Sequence, residues 1–162
     1  MKRLLRPLLD RIRLFLLARP ERVGLARPGF RRDEHLIEIQ PGLALAVYWK
    51  VTDLGTGPAV IVQTDAIELM KFDCFGGDGG HFHIAPWYQA RLAFLERTAD
   101  EQITRALAEI RTNAAGYLHR HPRPEVAAIR LDPAALDTAL ARAEPLLRAH
   151  ASRSAAVSTG AG

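Results

Sequence analysis

The sequence predicts an α+β fold: an antiparallel four-stranded meander, covered on one face by two C-terminal helices and preceded by an N-terminal amphipathic helix. Three observations predict it. Between His35 and Phe75 the residues are β-branched or alternate in polarity, and only short turn sequences interrupt them. From Thr98 onward apolar residues recur twice at helical spacing, each time behind a helix-start signal. The chain has 162 residues, 48% hydrophobic and 25% charged, which is the length and composition of one ordinary globular domain. Such a chain buries roughly 70% of the surface its unfolded form exposes and needs no disulfide or metal merely to fold.

Residues 1–34 read as a basic arm and linker. Leu4, Leu5, Leu8, Leu9, Ile12, Phe15 and Leu16 approximate the i, i+3, i+4 spacing of an amphipathic helix, with Lys2, Arg3, Arg6 and Arg13 mostly off that stripe, and Pro20 ends it. Arg19 to Arg32, with Pro20, Gly24, Pro28 and Gly29, reads as linker. The arm carries ten Lys or Arg against four acidic residues, whereas residues 35–162 carry twelve against fourteen. The basic character therefore belongs to the arm, and a uniformly basic nucleic-acid-binding body is not supported, although the arm alone can touch phosphates or anionic lipid headgroups. The leucine stripe suits a packing helix, a protein partner or a homodimer contact. A basic amphipathic segment also suits the surface of an anionic membrane. No apolar run approaches the roughly 20 residues that span a bilayer. Arg11 and Arg13 interrupt what would be the apolar region of a secretion signal. The lone Cys74 forms no intramolecular bridge and points to a reducing, cytoplasmic setting.

Four strands are expected at His35 to Gln40, Leu43 to Thr52, Pro58 to Gln63 and Ala66 to Phe75. Pro41-Gly42, the Leu54 to Pro58 stretch and Thr64-Asp65 supply the turns, and links this short force antiparallel neighbours. In the second strand Leu43, Leu45, Val47, Trp49 and Val51 share one face, with Ala44, Ala46, Tyr48 and Lys50 on the other. The first of these faces demands an apolar cover.

The C-terminal third provides it. Thr98 and Glu101 form a capping-box pattern, after which Ile103, Leu107, Ile110, Ala114 and Leu118 keep one helical face apolar until Pro122 and Pro124. Asp132-Pro133 is an N-cap followed by proline at the first helical position. Leu136, Leu140, Ala143 and Leu147 form the second stripe, which Pro145 is expected to kink. Residues 35–151 thus make the domain, and the Ser, Ala, Thr and Gly run of 152–162 reads as a disordered tail.

Chemistry concentrates between Lys71 and His83. Four glycines in five residues, Gly76, Gly77, Gly79 and Gly80, let the backbone bend sharply where a strand gives way to a loop. His81 and His83 point to one side of an extended segment. Two imidazoles on one face are half of a site for a divalent metal, with Asp73, Asp78 or Cys74 as further ligands. They serve equally as an acid/base pair, because histidine titrates near neutrality. The alternative without chemistry is a turn bearing surface histidines. Among metal motifs the HExxH helix is absent, and a cupin-like acid after the His pair is replaced by Pro86, Trp87 and Tyr88. The glycines also lack the GK[ST] ending of a P-loop. A second pair, His119 and His121, closes the first long helix, where cationic groups complement the helix dipole. Whether it converges with His81 and His83 is open at this level. Cys74 reads as a buried thiol rather than a nucleophile. Trp49, Trp87 and Tyr88 read as packing rather than as a base-stacking platform.

Lys71-Phe72-Asp73-Cys74-Phe75, His81-Phe82-His83, and then Thr98-Ala99 opening a long helix together resemble a group of small uncharacterised bacterial proteins. These carry an Arg-Phe-Asp-Cys-Phe type strand and a His-Tyr-His type turn, and the group is a domain-of-unknown-function family. More distantly, a basic residue, an aromatic, Asp73 and a later His-x-His pair are similar to the pattern of TumE-type toxins. Both resemblances span roughly Leu43 to Leu118 and rest on short motifs. Gly79-Gly80 stand where the toxin pattern has polar residues, and Phe82 where it has a basic one. The toxin resemblance implies action on RNA or the translation machinery, with His81 and His83 as acid/base or phosphate-contacting groups and Asp73 orienting one of them. The competing functions are a metal-binding protein and a non-catalytic scaffold for a partner.

Overall fold

A computed structural model describes residues 31–52, 55–65, 67–84 and 90–159, with side chains described as far as Arg153. The expected arm helix, most of the linker, and Trp87 and Tyr88 lie outside the described residues.

One antiparallel sheet contains β1 (Arg31–Gln40), β2 (Leu43–Thr52), β3 (Gly55–Gln63), β4 (Glu68–Asp73), β5 (His81–Ile84) and β6 (Leu92–Ala93), in chain order from edge to edge. The meander was expected, but it has six strands rather than four. The two additional strands are four and two residues long, too short for alternation to stand out, and β5 follows directly on the glycine-rich stretch. Their pairing comes from the neighbouring strands: Phe82 lies opposite both Phe72 of β4 and Leu92 of β6. The first strand also starts earlier than expected, at Arg31. A register irregularity between Arg32 and His35 accommodates Asp33 at φ 50°, a left-handed conformation that aspartate tolerates better than bulkier residues.

Three helices follow: α1 (Ala99–His119), the single turn α2 (Pro124–Ala127) and α3 (Pro133–Thr159). The α1 capping box forms as expected, with the Glu101 N–H donating to Thr98 Oγ1 at 3.2 Å and the Thr98 N–H to Glu101 Oε2 at 2.9 Å. At the start of α3 the Asp132 carboxylate accepts from the Ala134 N–H at 2.9 Å. Pro145 lies inside α3, which runs on as far as Thr159 across the Ser152 boundary read from the sequence.

The helices cover the sheet face expected from β2. Leu43, Leu45 and Val47 join Val60, Val62, Met70 and Phe72 in one core with Ile103, Ile110 and Leu118 of α1 and Leu140 and Leu147 of α3. The opposite face carries Ala46, Tyr48, Ala59 and Ile61, all buried in a separate small cluster.

His150 of α3 is buried against the rings of His35 and Trp49. Burial holds its pKa below the usual 6.5, the Arg153 cation adds to that, and Asp33 opposes. His121 shifts the same way, chiefly through burial. A histidine that stays neutral in the folded state binds fewer protons there than in the unfolded chain. Its contribution is complete above the unfolded pKa and is lost as pH falls from about 6.5 toward the folded value. Urea denaturation at pH 7.5 and pH 5 is therefore expected to show lower stability at pH 5. A His150→Leu variant should flatten part of that slope, and an unchanged slope would exclude His150 as a source.

Candidate metal centre

The register of the sheet builds the site on the face away from the helices. Tyr48 lies opposite Ala59, Ala59 opposite Asp73, and Asp73 opposite His81, a row crossing β2 to β5. The adjacent row runs Ala46, Ile61, Lys71 and His83. Directly opposed residues in an antiparallel pair share a face with Cβ atoms about 5 Å apart, so Asp73 meets His81 and Lys71 meets His83.

Asp73 has no exposed surface, His81 is 5% exposed and His83 is half-buried. One ligand atom from each of the three residues lies within 4.8 Å of the others, and among the described residues they form the one such group of His, Cys, Asp and Glu. His81 Nε2 is 3.2 Å from Asp73 Oδ2, and the two imidazole rings are 5.1 Å apart, edge to face. The three site residues expected from the sequence are thus brought together.

Several other candidates are not. Asp78 is exposed and ion-paired with Arg97 at 2.7 Å. Cys74 belongs to the helix-covered core and lies outside the Asp73 group, and burial pushes its thiol pKa well above the usual value. His119 sits exposed at the end of α1, and the Nδ1 of His121 accepts from the Arg123 N–H at 3.2 Å. Neither belongs to the Asp73 group, so the two His pairs do not converge.

Lys50 is the residue that sequence reasoning missed. Its Nζ donates to Asp73 Oδ2 at 2.7 Å, and the pair is buried. Gly57 opposite Lys50 and Ala59 opposite Tyr48 are small, and their size lets the long Lys50 side chain cross β3 to reach β4. The available signal was a lysine on the Ala44, Ala46, Tyr48 face of an apolar strand, because a buried ammonium requires an anion. Burial lowers the Lys50 pKa while Asp73 pulls it back up. Asp73 Oδ2 is thus engaged by Lys50, whereas Oδ1 is buried with no partner.

The glycine-rich stretch is held in place. Gly76 and Gly77 adopt φ 74° and 53°, left-handed values that favour glycine, on entry to a 3-10 turn at Gly77–Gly79. Gln102 of α1, fully buried, clamps this turn. Its Oε1 accepts from the Gly76 N–H at 2.9 Å, and its Nε2 donates to Gly77 O at 3.3 Å and to Glu96 O at 2.9 Å. The clamp fixes the backbone that leads to Gly79 O, which lies 2.9 Å from His81 Nδ1.

That last contact decides the histidine tautomer. A carbonyl only accepts, so Nδ1 carries the proton. Burial, the largest influence, lowers the His81 pKa and favours the neutral ring, with the Gly79 hydrogen bond and Asp73 opposing. In the neutral ring Nε2 then presents its lone pair to the Asp73 carboxylate. A donor pair facing each other at 3.2 Å is repulsive unless a proton or cation lies between them. Metal-ligating histidines commonly have this arrangement, with the other ring nitrogen donating to a carbonyl.

A family model described as a domain of unknown function, DUF7700, matches residues 33–147. The chain belongs to this family. The matched region runs from within β1 to within α3 and contains Lys50, Asp73, His81, His83 and Gln102. Neither the curated proteins nor the solved structures contain a match. No described helix is long and apolar enough to cross a membrane.

Proposed function

We propose that this protein binds a divalent transition-metal ion through Asp73, His81 and His83, in a reducing, cytoplasmic setting. The observation that carries the reading is the His81 hydrogen bond to Gly79 O, which turns Nε2 toward a buried carboxylate oxygen 3.2 Å away. The unpartnered Oδ1 of Asp73 supports it, because a buried carboxylate oxygen without a hydrogen-bond donor is costly unless a cation takes the donor's place. Two imidazole nitrogens and one carboxylate oxygen suit zinc, iron, nickel or manganese rather than calcium or magnesium. Three protein donors leave at least one coordination position open, as in catalytic rather than structural sites.

The test is elemental analysis of the full chain beside a His81→Ala, His83→Ala double variant, followed by titration with zinc, nickel and manganese. The expected result is near-stoichiometric uptake of at least one ion and its loss in the variant. No uptake of any ion by the unaltered protein would overturn the reading. The 5.1 Å spacing of the imidazoles favours a second reading, metal-free acid/base chemistry on RNA. RNA cleavage that persists in excess chelator and vanishes in the same double variant would select it.

A further inference from the structure

We infer that the ion held by Asp73, His81 and His83 binds an oxyanion, the carboxylate or phosphate group of a small ligand, in its open position. This deepens the metal reading above and rests on it.

The first observation is the charge balance of the face. Each buried carboxylate there already has a cationic partner: Asp73 has Lys50 at 2.7 Å, and Glu68 pairs with Arg31 and, at 3.9 Å, with Lys71. A divalent ion therefore adds two positive charges that no described carboxylate offsets. Asp73, Lys50 and His81 are all buried, so bulk water is poorly placed to stabilise the excess. Among the described residues no further carboxylate is placed to balance it, which favours a ligand that brings negative charge.

The second observation is where such a ligand enters and what meets it. His83 is the most exposed of the three metal-binding residues, which puts the approach on its side of the cluster. Lys71 lies directly opposite His83 in the β4–β5 register and on the same face. Its side chain rises from the sheet next to that of His83, with the ammonium 3.9 Å from Glu68 Oε2, too long for a hydrogen bond to that carboxylate. Arg91 adds a third cation nearby, with its guanidinium donating to Gly79 O at 3.3 Å, the carbonyl that orients His81. A metal ion flanked by ammonium and guanidinium groups recognises an oxygen anion by coordination and charge-assisted hydrogen bonds together.

The test loads the full chain with cobalt(II), whose visible absorption reports its coordination, and titrates inorganic phosphate and, separately, acetate. The expected result is a saturable spectral change with at least one of them, and the stronger of the two identifies the ligand class. Lys71→Met is expected to weaken that anion binding about tenfold, as for loss of one hydrogen bond to a charged group. Cobalt affinity in that variant should be retained, which also shows that it folds. Cobalt uptake with no spectral response to either anion would overturn the inference while leaving the metal reading standing. Anion affinity unchanged in Lys71→Met would likewise overturn the recognition described here. Failure to take up cobalt at all would remove both.

Discussion

Replacing Asp73 with alanine is expected to destabilise the fold by about 3–5 kcal/mol, the cost of removing one partner from a buried ion pair. Against a total stability of about 5–15 kcal/mol for a typical domain, that is a large fraction. The magnitude follows from what remains: Lys50 Nζ, hydrogen-bonded to Asp73 at 2.7 Å, would be left inside the protein without its anion. The His81 ring would lose the same neighbour. Lys50→Met alone removes the ammonium but leaves the carboxylate buried, and should also destabilise. The double variant is expected to cost less than the sum of the two singles, because neither charge is then stranded. Asp73→Asn keeps the shape and an oxygen for Lys50, so it should cost less than alanine while still abolishing tight metal uptake. Urea denaturation of the four variants measures this directly. A cost below about 1 kcal/mol for Asp73→Ala would place the pair among weak, solvent-screened bridges and undo the account of the centre.

Gly80→Ala is expected to cost about 2–3 kcal/mol, at the upper end for an added methyl group in a packed site. The backbone at Gly80, φ −67° and ψ 132°, is open to any residue, so the demand for glycine there is purely one of space. A Cβ would lie 2.1 Å from Gln102 Oε1 and 2.4 Å from its Cδ and Nε2. A glutamine terminus on the surface would swing aside cheaply. This one is buried and holds Gly76, Gly77 and Glu96 by hydrogen bonds, so yielding means losing the clamp on the turn. Because that turn delivers Gly79 O to His81, metal affinity should fall together with stability. In a Gln102→Ala background the clash is gone, and Gly80→Ala should add little further cost. An undiminished penalty in that background would show that something other than Gln102 occupies the space.

Most of the architecture is legible in the sequence because it rests on local signals. The Pro41-Gly42 turn, the short link between Thr52 and Gly55 and the Thr64-Asp65 turn leave too little chain for anything but antiparallel pairing, and they set the order of the first four strands. The stripes Ile103, Leu107, Ile110, Ala114, Leu118 and Leu136, Leu140, Ala143, Leu147 are all buried in the core, since a 3.6-residue period leaves each stripe on one side of its helix. The strands β5 and β6 were missed for the opposite reason. Each is held by what its neighbour presents to it, β5 by β4, where Phe72 stacks on Phe82 at 5.4 Å, and β6 by β5, rather than by its own pattern.

The sequence by itself determined the α+β class, the cover of one sheet face by the C-terminal helices, and the candidacy of Asp73, His81 and His83. These follow from turn chemistry, periodicity and two-residue alternation, all of which act over a few neighbouring residues. Only the tertiary structure decided that Lys50 reaches Asp73 from 23 residues away, and that Gln102 fixes the glycine turn from 25 residues beyond Gly77. It also decided that His119 and His121 stand apart from the centre. The physical reason is that strand register and helix docking set which distant side chains share one buried space. Within that space an unpaired charge or donor is costly enough to select its partner.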